Sequence, residues 1–257
     1  MSDIWKKLKK EAKALADEEP ALQPLVYQAV MNQPDLMHAI AFLLAGKFKD
    51  DTMSAVTYNH IFLDAMKADP NIVTSIEEDL SAIKDRDPAC DTFIIPMLYF
   101  KGFQAIQVAR VAHKLWSDDR KALSYHLQSK NSQIFSVDIH PGAKFGKGIL
   151  LDHATSFVAG ETAVIGDNVS ILHEVTLGGS GKEGGDRHPK VGNGVLIGAG
   201  AKLLGNIKIG DGAKVGAGSV VVNNVEKHVT VVGVPAEVVG TPSHENPAEF
   251  MDQNIIY

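Results

Sequence analysis

The chain has 257 residues, enough for two domains, with a formal net charge of -6 at pH 7 and a single cysteine. The acidic balance argues against a nucleic-acid partner, and one cysteine excludes an internal disulfide and fits a reducing compartment. The charged N-terminus lacks the apolar centre of a signal peptide, and no apolar run approaches the roughly 18 residues that cross a bilayer, so we expect a cytoplasmic protein without a membrane partner.

The first half of the chain has the periodicity and punctuation of helices. Apolar residues recur at helical spacing, and Pro20, Pro34 and Pro70 separate the segments. These signals predict helices at 3–17, 21–32, 34–46, 52–68, 71–85, 92–100, 102–116 and 118–133. Both tryptophans and seven of the ten phenylalanines lie before residue 137, where they supply a core. We therefore expect an all-α domain over residues 1–136.

From Val137 onward, an apolar residue recurs every six positions. The members of this series are Ile139, Phe145, Leu151, Ile165, Ile171, Leu177, Val191, Ile197, Leu203, Ile209, Val215 and Val221. A six-residue period fits neither a helix nor a strand and is typical of a β-helix whose coils have three short sides. Of the 23 glycines, 21 lie between residues 137 and 240, and small residues allow tight corners. The pattern predicts a parallel β-helix over residues 137–240 and a polar, flexible tail over 241–257.

The six-residue period breaks twice, and each break carries a histidine beside a charged residue. Two extra residues fall in the stretch 151–158, which contains Asp152 and His153. An eight-residue insertion between Leu177 and Val191 contains Arg187 and His188. Because functional residues concentrate on loops that a rigid scaffold positions, we expect the chemistry at these two breaks.

Several motifs along the chain together resemble the serine O-acetyltransferase family. They are Asp138-Ile139-His140-Pro141, Asp152-His153-Ala154-Thr155, Gly160-Glu161-Thr162, Thr176-Leu177-Gly178-Gly179 and Gly185-Asp186-Arg187-His188-Pro189-Lys190. The resemblance covers nearly the whole chain. It implies an α+β protein with an all-α N-terminal domain and a left-handed parallel β-helix of hexapeptide repeats. It also implies acetyl transfer from acetyl-coenzyme A to L-serine at the start of cysteine synthesis.

Acetyl transfer to an alcohol needs a base, and His153 suits this role because an imidazole titrates near neutral pH. A carboxylate should hold its ring in one tautomer. Asp138 lies 15 residues earlier, close to the roughly 18 residues of one coil, so the two should nearly stack. The resemblance places the family's catalytic pair at these positions.

The substrate is a zwitterion, so its site should hold charges of both signs. Arg187 offers a bidentate contact for a carboxylate, with His188 beside it. Asp152 and Asp87 offer negative charge to an ammonium group. For Asp87, which precedes Pro88 in the helical half, the resemblance is the only argument, and a helix-cap role is the alternative.

Acetyl-coenzyme A should lie in a groove between neighbouring prisms, bound largely through backbone amides. The resemblance assigns this role to Gly179, Ser180, Ala199, Gly200 and Ala217, and an amide near Gly179 suits the oxyanion. Lys202, Lys208 and Lys214 share the six-residue period, which we interpret as one basic side of the prism. That side is either a solvated face or a contact for the cofactor phosphates.

The resemblance also concerns assembly and control. It implies a homotrimer or a dimer of trimers, inhibition by L-cysteine, and contact of the tail with O-acetylserine sulfhydrylase, although the tail end Asn254-Ile255-Ile256-Tyr257 is short for that contact. Two other functions stay open. His140, His153, His173 and His188 allow a zinc site at a subunit interface, as in prism proteins of the γ-carbonic anhydrase type, although we expect no metal. A scaffold without catalysis is the third reading.

Overall fold

The computed structural model describes residues 2–181 and 184–255. Its first half is helical, as the sequence predicts. The helices are α1 Asp3–Glu18, α2 Gln23–Val26, α3 Leu36–Phe48, α4 Ala55–Ala68, α5 Asn71–Arg86, α6 Ile94–Tyr99, α7 Lys101–Ser117 and α8 Lys121–Phe135. Their apolar faces form one continuous core with the inner side chains of the second half. No helix in the described part of the chain is long and apolar enough to cross a membrane.

Three helix predictions differ from the structure by three residues or more, and one of them, at 52–68, is a helix that begins only at Ala55. The segment predicted as one helix at 21–32 has three parts: a 3₁₀ turn over Pro20–Leu22, then α2, then a π-helical turn over Tyr27–Met31. Proline removes a backbone donor, so Pro20 and Pro24 interrupt the regular ladder. The last helix begins three residues later than predicted, because Asp119 adopts a left-handed φ of 58° before it.

The second half is a parallel β-helix, which confirms the predicted α+β architecture. Its strands are β1 Asp138–Ile139, β2 Lys144–Phe145, β3 Leu150–Leu151, β4 Val158–Ala159, β5 Val164–Ile165, β6 Ser170–Ile171, β7 Thr176–Gly178, β8 Lys190–Val191, β9 Leu196–Ile197, β10 Lys202–Leu204, β11 Lys208–Ile209, β12 Lys214–Val215, β13 Val220–Val221, β14 Thr230–Gly233 and β15 Ala236–Gly240. They form three sides, in the orders β1-β4-β7-β10-β13, β2-β5-β8-β11 and β3-β6-β9-β12-β14-β15. Only β15 runs antiparallel to its neighbour among these pairings.

The strand register confirms both breaks in the six-residue period. Val158 pairs with Thr176, at the regular spacing of one coil. Asp138 pairs with Val158, which shows the two extra residues of the first break. Val164 pairs with Lys190, which shows the eight extra residues of the second. The strands on either side of both insertions keep their pairing.

The three lysines at six-residue spacing do not form one basic side, and that prediction is wrong. Lys202, Lys208 and Lys214 lie in β10, β11 and β12, which belong to three different sides of the prism. Six residues advance the chain by one side, so only residues one whole coil apart share a side. Lys214 is also buried, and its ammonium donates a hydrogen bond to the carbonyl of Asn254.

The described part of the tail folds back onto both halves. It contains a short helix, α9 Pro247–Phe250, which packs against α5. The Ser170 hydroxyl donates to the carbonyl of the fully buried Ala248 at 2.8 Å. The sequence carries no sign of this docking, because the tail has no apolar period. The predicted sulfhydrylase contact depends on the chain end at Ile256 and Tyr257, which lies outside the described residues.

Candidate functional site

A cavity of about 420 Å³ lies at the seam between the helical half and the first coil of the prism. We call it the seam cavity. Its lining includes Asp87, Tyr99, Lys101, Leu151, Asp152 and His153. Helix α5 delivers Asp87 just past its last residue, and β3 delivers Asp152 and His153. The structure therefore brings together three of the residues that the sequence singles out.

Close packing of α7 on β3 shapes this cavity. Gly102 lies in the first turn of α7, directly against the backbone of Leu151. A Cβ atom at Gly102 would lie 2.0 Å from the Leu151 carbonyl oxygen. Only glycine therefore permits this approach, which places the start of α7 beside the Asp152 segment.

The two carboxylates of the seam cavity form an acidic site. Burial raises the pKa of the Asp152 carboxyl, and the neighbouring charge of Asp87 raises it further, while His153 opposes the shift. Neither carboxylate has a Lys or Arg ion-pair partner within the described part of the chain; the nearby Lys101 ammonium donates to the Thr155 hydroxyl instead, at 2.6 Å. Two unneutralised carboxylates in one cavity suit a small cation such as an ammonium group.

His153 lies on the expanded corner made by the two extra residues. It adopts a left-handed φ of 56°, and Ala154 and Ser156 follow at 60° each. Such backbone is costly for residues other than glycine and is concentrated at functional sites. The His153 side chain is 71% exposed, its Nε2 lies 3.6 Å from the Asp152 carboxylate, and its ring meets the His173 ring edge to face at 5.7 Å. This side chain is accessible to a substrate.

Asp138 does not contact His153 in this structure. Its carboxylate accepts a hydrogen bond from the Gln128 amide at 2.8 Å. The two residues nevertheless share one corner of the prism: the Asp138 amide donates to the Phe157 carbonyl, and the Phe157 amide donates to the Ala154 carbonyl. The nearest carboxylate to His153 is that of Asp152.

Arg187 and His188 lie at another corner, on the long insertion. The Arg187 guanidinium donates to the Glu161 carboxylate at 2.7 Å, and this contact lowers the pKa of Glu161. The Thr162 hydroxyl accepts from the backbone amides of Arg187 and His188 at 3.0 and 3.1 Å. Glu161 and Thr162 thus hold the loop against the prism. Both residues lie in the Gly160-Glu161-Thr162 motif, but no pattern in the sequence indicates a role for either.

His188 is buried and held as a neutral hydrogen-bond donor. The Thr162 backbone amide donates to its Nδ1 at 3.2 Å, which assigns the ring proton to Nε2. Burial lowers the pKa of His188, and the charges of Arg187 and Lys190 lower it further. The Nε2 edge faces Gly160, where a Cβ atom would lie 2.0 Å away. A neutral imidazole here can donate to an oxygen but does not supply positive charge.

A column of corner residues rises from His153 along the prism. The His173 carbonyl accepts from the Gly200 amide at 3.0 Å, and the Ala199 carbonyl accepts from the Gly218 amide at 2.8 Å. His173, Ala199 and Ala217 therefore follow His153 at successive coils, and the upper two positions carry only small side chains. Gly179 and Ser180 lie at the start of the insertion; a Cβ atom on Gly179 would be 3.6 Å from the His188 Nε2.

The remaining histidine of the zinc hypothesis lies apart from the seam cavity. His140 packs edge to face against Trp116 and Tyr125, at 5.1 and 5.7 Å between ring centroids. Its Nδ1 accepts from the Gly142 amide. Over residues 2–181 and 184–255, no group of three His, Cys, Asp or Glu side chains is arranged to hold a metal ion.

Comparison with known proteins gives consistent matches. Residues 4–108 match the family model described as serine acetyltransferase, N-terminal, and residues 188–223 match the bacterial transferase hexapeptide model of six repeats. The serine acetyltransferase of Salmonella typhimurium is 50% identical over 251 residues, which cover 98% of this chain and 92% of that protein.

Two similar solved structures contain small molecules. One is a serine acetyltransferase in complex with cysteine, with a TM-score of 0.97 and 47% identity, covering 99% of each chain. The other is the Brucella abortus enzyme in complex with coenzyme A, with a TM-score of 0.92 and 48% identity, covering 94% of this chain and 96% of that one.

Proposed function

The chain belongs to the serine acetyltransferase family and transfers an acetyl group from acetyl-coenzyme A to L-serine in cysteine biosynthesis, and we propose that the seam cavity is one half of its active site. The observation that carries this proposal is the pair of unneutralised carboxylates, Asp87 and Asp152, beside the exposed His153. The pair would bind the serine ammonium group. This places the serine hydroxyl within reach of the imidazole.

His153 would act as the general base. It removes the hydroxyl proton as the serine oxygen attacks the thioester carbonyl, and the protonated ring can then return the proton to the coenzyme A thiolate. Asp138 is its proposed partner, since both side chains are exposed on the same corner, and the pairing would replace the Gln128 contact of Asp138. An ionised Asp138 would stabilise the imidazolium that forms during the reaction.

The anionic groups of the reaction would meet the Arg187–His188 corner. Arg187 is the proposed contact for the serine carboxylate, in competition with Glu161, which holds the guanidinium when no substrate is bound. His188 donates its Nε2 proton beside Gly179, whose backbone amide is the proposed donor to the tetrahedral oxyanion. A neutral His188 suits this corner, because it can donate a hydrogen bond to an oxygen of the substrate. It adds no positive charge that would slow release of the product carboxylate.

Acetyl-coenzyme A would lie along the column of small residues above His153. Ala199, Gly200 and Ala217 border this strip, and Gly179 with Ser180, which lie at the Arg187–His188 corner, would border it from a neighbouring subunit. The thioester would thus reach the serine hydroxyl from above. Coenzyme A release with L-serine, compared with L-threonine and L-homoserine, tests the whole proposal. Absence of release with L-serine would overturn it.

The acceptor site would be shared between neighbouring subunits of a trimer. The ammonium-binding and carboxylate-binding residues lie at different corners of one prism, with β4 between them, and serine is too small to span that side. A neighbouring prism that places its Arg187 corner against the His153 corner would complete the site. In this arrangement the helical domain, residues 1–136, carries Asp87 and pairs trimers, and residues 137–240 carry the chemistry.

Mixing two inactive variants is expected to restore activity. Subunits with His153→Ala retain an intact Arg187–His188 corner, and subunits with His188→Ala retain an intact His153 corner. Any mixed trimer then contains one interface with both histidines, so it should reach about one third of wild-type activity. Coexpression with two different affinity tags isolates the mixed trimers for assay. Activity no higher than that of either parent would contradict a shared site.

L-Cysteine is expected to bind the same site and to compete with serine, because the two differ only by sulfur for oxygen. The tail offers a route to a second effect: Ile255 lies beside Gly216, next to the groove residue Ala217. If cysteine binding orders the tail over the groove, cysteine weakens the binding of acetyl-coenzyme A. Acetyl-coenzyme A must then weaken the binding of cysteine by the same factor. Calorimetry should show cysteine binding that falls at least about tenfold in Arg187→Ala. No binding at millimolar cysteine would contradict the prediction.

A reducing compartment, the cytoplasm, is consistent with the single cysteine. Cys90 is buried, its thiol contacts the Thr92 carbonyl, and burial raises its pKa, so it is a poor nucleophile. We propose no catalytic role for it.

A further inference from the structure

Three buried side chains of the helical half hold one backbone turn of the prism. The Arg110 guanidinium donates to the Gly146 carbonyl, and the Arg86 guanidinium donates to the Gly148 carbonyl at 3.0 Å. The Asp79 carboxylate accepts from the Ile149 amide at 2.8 Å. We call Asp79, Arg86 and Arg110 the seam clamp. Its contacts cover three of the four residues in the turn 146–149.

The seam clamp is charged and almost fully excluded from solvent. Asp79, Arg86 and Arg110 are 1%, 8% and 7% exposed. Asp79 also pairs with Arg110 and accepts from the Gln107 amide at 2.9 Å, so all of its oxygens are engaged. Arg86 makes further hydrogen bonds to the Ser170 hydroxyl and the Asn168 side chain, each at 3.2 Å. All three side chains thus contact the prism through hydrogen bonds, although the buried Arg110 Nε has no hydrogen-bond partner among the described residues.

A network of buried charges of this kind adds little to the free energy of unfolding. Desolvation of buried charges cancels most of their attraction, and apolar side chains of similar volume often stabilise a protein as well. What directional hydrogen bonds add is geometric: they allow one register between two surfaces, whereas apolar packing tolerates small slips. The clamp thus fixes how α5 and α7 sit on the first coil.

The clamp joins the two segments that carry the acidic residues of the seam cavity. Asp87 follows Asp79 by eight residues along α5, about 12 Å along the helix. Asp152 follows Ile149 by three residues, through β3. The two carboxylates come from different halves of the protein, so their separation depends on the docking of these halves.

We propose that Asp79, Arg86 and Arg110 are positioning residues that set the spacing of Asp87 and Asp152 for the substrate ammonium group. This inference rests on the proposed role of that carboxylate pair. None of the three touches the substrate. Loosening the clamp should therefore weaken serine binding while leaving the acetyl-coenzyme A groove, which lies on higher coils, unchanged.

The decisive variant removes both charges of the buried pair together. Asp79→Asn with Arg110→Gln removes one buried charge of each sign and keeps an acceptor for the Ile149 amide, but glutamine is too short to hold the Gly146 carbonyl. We expect a folded protein whose KM for serine rises at least about tenfold, because a misplacement near 1 Å has effects of this size or more. Its kcat at saturating serine and its KM for acetyl-coenzyme A should change less than about twofold. A merely structural role would alter all three together.

A neighbouring ion pair provides the matched control. Glu78 on α5 and Lys147 in the same turn form an exposed pair at 3.5 Å, so Glu78→Gln with Lys147→Gln removes charge from the same two segments without touching the clamp. This variant should retain wild-type kinetics. If the Asp79–Arg110 double variant does not fold, Arg86→Gln releases the Gly148 carbonyl and should show the same selective rise in serine KM.

The outcome separates this inference from the function on which it rests. Asp87→Asn, measured in parallel, must raise the serine KM if the carboxylate pair binds ammonium. An unchanged serine KM in the folded clamp variants, while Asp87→Asn raises it, would overturn the inference alone. An unchanged KM in Asp87→Asn would overturn the ammonium site itself.

Discussion

Replacing His153 with alanine is expected to lower kcat by at least about a hundredfold, the usual contribution of a positioned general base. The side chain is 71% exposed on a strained corner, and no other imidazole lines the seam cavity over the described residues. His173, whose ring meets that of His153, lies one coil higher. The KM values should change little, because the base acts on the transition state.

The control for this experiment is His60→Ala. His60 is an exposed histidine on α4 that does not line the seam cavity, and its loss should leave turnover unchanged. Asp138→Asn should lower kcat while circular dichroism shows an intact fold, because an amide cannot stabilise the imidazolium. Folded His153→Ala protein with near-normal turnover would show that this mechanism is wrong.

Replacing Asp152 with asparagine is expected to lower kcat/KM for serine by roughly 10- to 100-fold, with most of the change in KM. A hydrogen bond to a charged group contributes about 1.5–3 kcal/mol, which corresponds to this range. The Asp152 carboxylate is partly desolvated, and this burial together with the nearby Asp87 raises its pKa. A partly desolvated carboxylate attracts an ammonium group more strongly, so we expect its loss to weaken serine binding substantially. The matched control is Asp91→Asn, an exposed carboxylate that does not line the cavity.

The pH dependence follows from the direction of the same shift. Ammonium binding needs the ionised form of Asp152. Because the pKa is raised, the carboxyl takes up a proton at a higher pH than an ordinary aspartate does, and serine binding falls as the pH drops through that value. The acid limb of serine binding, measured by calorimetry rather than by turnover, should therefore lie at a higher pH than for an ordinary aspartate and move to lower pH in Asp152→Asn. An unchanged limb in that variant would assign it to another group.

The two breaks in the six-residue period show which site residues can be predicted from local sequence pattern. Two extra residues in the period predict an expanded corner at Asp152 and His153, and the register of Asp138 with Val158 has this spacing. The longer insertion located Arg187 and His188 in the same way. Glu161 and Thr162 received no role, since they lie in regular coil positions and act through contacts with a distant loop.

The relation between Asp138 and His153 shows the limit of counting residues. A separation close to one coil predicts a stacked pair, yet the expanded corner and the contact with Gln128 leave the two side chains apart in the single chain. The lysines at six-residue spacing show the same limit, since they point from three sides of the prism. The six-residue period predicts which side chains point into the core. It does not predict in which direction the remaining side chains point, because that depends on the three-dimensional course of each corner.

What the sequence by itself determined is the helical half, the six-residue coil and the two places where it breaks, because these depend on local period and on small residues at corners. Only the tertiary structure decided how the halves meet: the seam cavity, the clamp of Asp79, Arg86 and Arg110, and the docking of the tail on Ser170. These contacts join residues far apart in the chain through single directional hydrogen bonds. Such bonds leave no periodic trace in the sequence, whereas a repeated apolar position does.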